Sequence, residues 1–159
     1  MASLEEEIGS LLRQRGLTLG VVESATGGLI SHRLTNVPGS SDYYKGSVTA
    51  YSNEAKVSVI GVKKETIDQY GAVSSQVAEE MADGGRKVLG VDICLADTGI
   101  AGPGGATSGK PVGLFYLSLS HQGGTYSRKH NFQGDREQNK QSAAEAALGW
   151  LKEYLVSVK

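Results

Sequence analysis

The sequence predicts an α/β fold: a three-layer α/β/α sandwich around a mixed, mostly parallel sheet of about five strands. Apolar runs of strand length alternate with helical patterns along the chain, as expected when helices cover both faces of a sheet. Only one antiparallel signal interrupts this alternation, a pair of strand-like runs facing each other across H-Q-G-G. The length of 159 residues suits a single domain spanning the whole chain, long enough to bury its own core, and no repeat, linker or low-complexity tail divides it.

The first helix opens with Ser3 and Glu6 in capping-box spacing, carries Glu5 to Glu7 at its positive end and stops at Gly16. Leu4, Ile8, Leu11 and Leu12 form its apolar stripe, with Arg13 and Arg15 in the last turn. L-T-L-G-V-V-E then reads as a buried strand and L-I-S-H-R-L as the helix that follows two glycines. After the turn cluster T-N-V-P-G-S-S-D comes a second strand, G-S-V-T-A-Y. Asn53 is placed to cap a short helix through Lys56 and Val57, and E-T-I-D-Q-Y-G forms another that ends at Gly71. A helical pattern returns from Ser74 to Leu89, although Gly84 and Gly85 inside it each cost about 1 kcal/mol relative to alanine. V-D-I-C-L-A is a buried strand, followed by a long glycine-rich loop and the hairpin strands G-L-F-Y-L-S-L-S and T-Y-S-R-K-H-N-F. The last helix is capped by Asp135 with Gln138 three residues on, and Ala143, Ala147, Leu148, Leu151, Tyr154 and Leu155 form its inner face.

Composition removes several function classes. A formal net charge of -1 gives no electrostatic footprint for nucleic acid or an anionic membrane. The lone Cys94 sits in an apolar run, where a thiol behaves as a small buried hydrophobe, and one cysteine makes neither an internal disulfide nor a cysteine zinc site. The acidic start M-A-S-L-E-E-E lacks the features of a signal peptide, so a cytoplasmic location is expected.

Two loops lie where ligands bind in open α/β sheets, outside the carboxyl ends of the strands. Residues Glu23 to Gly28, E-S-A-T-G-G, combine backbone N–H groups with a following helix, a setting for a phosphate or a developing oxyanion. Thr98 to Gly113 supplies the opposite wall. Neither loop is a dinucleotide or P-loop fingerprint. For Ser24 as nucleophile, His32 lies about two helical turns away, while His121 and His130 read as surface residues of the hairpin. No metal-ligand spacing is present. A lysine base is the remaining option: Lys56 in the first turn of a helix capped by Asn53 has its charge disfavoured by the dipole. The alternative is that Lys56 is a solvated surface lysine.

In chain order, E-S-A-T-G-G, A-Y-S-N-E-A-K, G-A-V-S, T-G-I-A-G-P-G-G, K-P-V-G and F-x-G-D-R together resemble the C-terminal domain family of the competence/damage-inducible protein CinA, whose stand-alone members are called PncC. The resemblance covers nearly the whole chain. It implies metal-free and cofactor-free hydrolysis of the carboxamide of nicotinamide mononucleotide, giving nicotinate mononucleotide and ammonia in pyridine nucleotide recycling. By the same resemblance Ser24 is the nucleophile, Lys56 its base, and Tyr51 a hydrogen-bonding partner that orients them. Thr98 resembles the family's pocket threonine and Arg136 an anion-binding residue. The loops supply the remaining expected substrate contacts, Glu23, Thr26, Gly27 and Gly28 on one wall, Gly99 and Gly102 on the other.

Three positions depart from the family pattern. Ala25 stands where a cysteine is frequent, and Lys140 where an arginine is common. Asp97 replaces a small or apolar residue; it reads as a solvated turn residue, with a role in tuning the lysine or the pocket charge as the alternative. The expected partner is nicotinamide mononucleotide, with neither nucleic acid nor membrane, and a homo-oligomer is expected. Two other functions remain open: a non-catalytic module that senses a pyridine nucleotide in competence or DNA damage response, and an amidase acting on another small carboxamide.

Overall fold

The computed structural model describes residues 1–158. In chain order the elements are α1 (Leu4–Arg15), β1 (Leu19–Glu23), α2 (Leu29–Thr35), a 3₁₀ turn (Ser40–Asp42), β2 (Tyr44–Thr49), α3 (Asn53–Ala55) and a π-helical turn (Lys56–Ile60). Then follow α4 (Lys64–Tyr70), α5 (Ser75–Leu89), β3 (Ile93–Gly99), β4 (Leu114–His121), β5 (Gly124–Asn131) and α6 (Arg136–Ser157). The strands lie in the order β2-β1-β3-β4-β5. β1 is parallel to both β2 and β3, and β4 is antiparallel to β3 and β5. β4 alone therefore runs against the other four.

Helices cover both faces. Leu19 and Val21 pack with Ile8 and Leu12 of α1, Ile30 and Leu34 of α2, and the Ala143, Ala147 and Leu151 stripe of α6. On the other face Val22, Cys94 and Ala96 meet Val77, Met81 and Ala82 of α5, with Ile60 and Val62. Both capping boxes expected from the sequence form, at Ser3 and Asp135, and Gly16 ends α1 in the left-handed conformation. Cys94 is fully buried, and burial pushes its thiol up to about 12. Among the described residues no helix is long and apolar enough to cross a membrane.

The second strand begins two residues earlier than its apolar pattern suggests and ends at Thr49. Its last backbone bond, from Ala50 N–H to the Glu23 carbonyl, releases Tyr51 from the sheet. His121 and His130 are half-buried rather than simply exposed. His121 stacks on Tyr154 with ring centroids 4.2 Å apart, and His130 stacks on Phe132 at 5.3 Å.

Gly84 and Gly85 are explained by close approach. A Cβ on Gly84 would lie 2.1 Å from the Ile60 carbonyl oxygen, and one on Gly85 would lie 2.3 Å from Val22 Cγ2. Their absence lets α5 press against β1 and the π-helical turn. Gly84→Ala is therefore expected to lose about 1–3 kcal/mol through overpacking, instead of gaining the roughly 1 kcal/mol that helix propensity promises. Thermal unfolding distinguishes the two, because a rise in Tm would show that the contact relaxes freely.

Candidate active site

The period-two alternation of β1 divides its last residues between the two faces. Glu23 follows Val21 toward α1, α2 and α6; Ser24, just past the strand, follows Val22 toward α5. Ser24 is 6 % exposed and Lys56 2 %. Lys56 Nζ lies 3.0 Å from Ser24 Oγ and donates to the Tyr51 carbonyl at 3.0 Å. Burial lowers the Lys56 pKa below its ordinary value, with Asp97 acting in the opposite sense. As the neutral amine, Lys56 donates to the Tyr51 carbonyl and has a lone pair free to accept the Ser24 hydroxyl proton.

The helix that presents Lys56 is capped by Ser52 rather than by Asn53: Ser52 Oγ accepts the Ala55 N–H at 3.0 Å. Lys56 stands where α3 passes into the π turn, and burial is the leading cause of its lowered pKa, in place of the first-turn dipole expected from the sequence. Tyr51 contacts Lys56 through its backbone carbonyl. Its side chain is 60 % exposed, and its hydroxyl accepts from Arg136 Nη2 at 3.1 Å. Arg136 Nη1 also donates to the Gly102 carbonyl at 2.7 Å, tying the start of α6 to the glycine-rich loop.

Ser24, Lys56, Tyr51, Thr98, Gly99, Gly102 and Arg136 all line one cavity of about 310 Å³, at the small end of ligand pockets. Thr98 is buried and donates its hydroxyl to the Ala72 carbonyl at 2.8 Å, which holds the Gly71–Ser74 turn against the cavity. Gly99 has a packing reason as well, since a Cβ there would lie 2.3 Å from the Phe115 ring. Thr26, Gly27 and Gly28 line a neighbouring groove of about 520 Å³ instead, together with His32 and Lys140, and Arg136 borders both hollows. A larger cleft of about 670 Å³ between α2 and α6 contains the Arg33–Glu145 ion pair but no nucleophile–base pair. Size alone does not locate the chemistry.

Two sequence expectations are corrected here. Glu23 is fully buried and does not face the cavity; its carboxylate accepts from Gly28, Ile30 and Ser31 N–H and from the Thr26 and Ser31 hydroxyls. It thus satisfies the amino end of α2 from inside, so that end is closed to an external anion. The loop amides are also occupied: Ser24 and Thr26 N–H donate to Asp97, and Gly27 N–H to the Ser24 carbonyl. Of the amides from Ser24 to Gly28, only that of Ala25 has no hydrogen-bond partner among the described residues.

Asp97 is the second correction. It is a fully buried residue of β3, not a solvated turn residue, and its pKa rises to about 6 through burial and the Glu23 charge, against the hydrogen bonds from Thr26 and Ser24. Sequence reading also passed over Asn139, fully buried, which donates to the Ala101 carbonyl at 3.0 Å and accepts from Gly134 N–H. Its signal was present: it lies four and eight residues before Ala143 and Ala147 on the inner stripe of α6. Among the described residues no group of three or more His, Cys, Asp or Glu side chains is arranged to hold a metal ion.

Residues 1–155 match the family model described as CinA C-terminal domain. The chain belongs to this family. A putative competence-damage inducible protein of Halothermothrix orenii is 51 % identical over 154 residues, covering 96 % of this chain and 37 % of the relative. A CinA-like protein of Geotalea uraniireducens is 43 % identical over 157 residues, covering 99 % and 37 %. The chain thus spans little more than a third of these CinA relatives. The crystal structure of competence damage-inducible protein A from Klebsiella pneumoniae superposes with a TM-score of 0.95 at 33 % identity, covering 98 % of this chain and 97 % of that one. The CinA superfamily protein of Escherichia coli gives 0.89 at 28 % identity, covering 97 % and 90 %.

Proposed function

We propose that this CinA-family domain is an amidohydrolase that deamidates nicotinamide mononucleotide, with Ser24 as nucleophile and Lys56 as general base. The observation that carries this reading is the buried Lys56 amine 3.0 Å from Ser24 Oγ inside a cavity of ligand size. The identity of the substrate rests on the family resemblance, supported by an arginine at the rim suited to a phosphate. In this reaction Lys56 takes the Ser24 proton as Oγ attacks the carboxamide carbon. The oxyanion forms beside the Ala25 amide, the unpaired donor next to the nucleophile. Lys56 then returns the proton to the leaving nitrogen, and ammonia departs from an acyl-Ser24 ester. Water attacks this ester with Lys56 again as base, releasing nicotinate mononucleotide and restoring the serine.

Ammonia release from nicotinamide mononucleotide, compared with nicotinamide riboside, tests the reading. Turnover of the nucleotide with little of the riboside supports it. Binding of the nucleotide without ammonia indicates a sensor, and equal turnover of both an amidase of broader taste.

Arg136 extends the same test. Its guanidinium sits between the two hollows and has donors left after its bonds to Gly102 and Tyr51. A charge-assisted contact to phosphate contributes about 1.5–3 kcal/mol, so Arg136→Ala is expected to raise KM for the nucleotide about tenfold to a hundredfold and leave the riboside nearly unaffected. Equal proportional losses on both substrates would place Arg136 in loop support instead of phosphate recognition.

A further inference from the structure

Behind the strand exit, on the face of the sheet opposite the Ser24–Lys56 pair, two buried carboxyl groups meet one hydroxyl. Thr26 Oγ1 lies 2.7 Å from Glu23 Oε1 and 2.5 Å from Asp97 Oδ1. A threonine hydroxyl has one hydrogen and can satisfy only one of these contacts as donor. Two oxygens at 2.5 Å need a proton between them.

The neighbouring donors decide where the extra proton sits. Glu23 Oε1 already accepts the N–H groups of Gly28 and Ile30, and Oε2 those of the Ser31 amide and hydroxyl. Oε1 has no room to carry a hydrogen of its own, and one on Oε2 would have to reverse the hydrogen bond from the Ser31 hydroxyl. Asp97 accepts fewer bonds: Ser24 N–H at 3.0 Å on Oδ1 and Thr26 N–H at 3.1 Å on Oδ2. The hydroxyl oxygen of a protonated acid both donates and accepts, so Oδ1 can keep the Ser24 amide while passing its proton to Thr26.

We propose that Asp97, Thr26 and Glu23 share one dissociable proton in a chain running from the Asp97 acid through the Thr26 hydroxyl to the Glu23 carboxylate, and that Asp97 is the positioning residue of the nucleophile loop. It grips the amides on either side of Ala25, fixing Ser24 against Lys56 and leaving the Ala25 amide unpaired. The charged groups acting on the chain are Glu23 from β1 and Lys56 from the π-helical turn; its β4 neighbour, Leu117, is apolar. A negative charge on Asp97 favours the ammonium form of Lys56, so the proton on Asp97 favours the amine. Burial and Glu23, which raise the Asp97 pKa to about 6, act in the same direction.

The test has two arms, the second of which rests on the amidohydrolase reading. In the first, the Asp97 side-chain carboxyl of the wild-type chain, labelled with ¹³C and assigned through its own backbone correlations, is titrated by NMR. The expected midpoint lies near 6, against 3.8 for an ordinary aspartate, so the shared proton is held by most molecules below that pH and given up above it. A midpoint at or below the ordinary value overturns the shared proton. In the second, Asp97→Asn offers an NH₂ group that can donate to Thr26 but cannot accept the Ser24 amide. Its kcat is expected to fall about tenfold to a hundredfold through misplacement of the nucleophile, with KM changed less than about twofold. Wild-type kcat in a folded Asp97→Asn variant overturns the positioning role. The titration needs neither substrate nor variant: if the wild type releases no ammonia the amidohydrolase reading fails, while the shared proton is still decided by its midpoint.

Discussion

Ser24→Ala is expected to lower kcat for ammonia release by about 10³-fold or more while leaving the fold intact. Among the described residues the side-chain hydroxyl bonds only with Lys56; the backbone N–H of Ser24 is held separately, by Asp97. Alanine therefore deletes the nucleophile without releasing the loop. Because nucleophile and base act as a unit, Ser24→Ala combined with Lys56→Met should be little worse than either change alone. The measurement is kcat for the three variants beside their circular dichroism spectra. Near wild-type release from folded Ser24→Ala would exclude Ser24 as nucleophile, and the buried amine would then need another partner.

Lys56→Met is expected to have two effects of opposite value, a loss of activity as large as that of Ser24→Ala and a gain in stability. Burial lowers the Lys56 pKa from its ordinary 10.5, so the unfolded chain binds this proton more readily than the folded one. The sign follows from linkage: the wild type is most stable with respect to this group above 10.5, and that stability is lost as pH falls toward the lowered folded value. A thioether of similar length removes the penalty and keeps the packing. The gain is read as a rise in Tm, about 2–4 °C for each kcal/mol in a domain of this size. It should be present at neutral pH and shrink toward pH 10.5. A Lys56→Met variant less stable than wild type at neutral pH would mean that the amine holds the cavity together, for example through the Tyr51 carbonyl.

Local rules made much of the fold legible. The capping boxes at Ser3 and Asp135, the glycine stop at Gly16, the hairpin across residues 121–124 and the inner stripe of α6 depend on neighbours a few residues apart, so spacing alone reveals them. The mixed sheet and its two-sided helix cover follow from the alternation of elements and the one hairpin signal, whereas the strand order β2-β1-β3-β4-β5 is decided only by the tertiary structure. Ser24 and Lys56 were also readable as a pair, by excluding other bases and by the ordered motifs of the family.

What spacing could not reveal depends on atoms brought together from distant parts of the chain. Gly84 and Gly85 look like helix defects until Ile60 and Val22 are placed against them. Glu23, read as a substrate contact because it ends a strand beside a glycine loop, is consumed by the amides of α2. The anion-binding character of Thr26, Gly27 and Gly28 disappears for the same reason, because their N–H groups are already donated within the protein. Asp97 stands 73 residues from Ser24, and nothing in its local pattern separates a solvated turn from a buried acid. The sequence by itself determined which residues could do chemistry and which elements carry them; the tertiary structure alone decided which polar groups remain free to act, because hydrogen-bond capacity is limited and is used up first by whichever partners the fold places within reach.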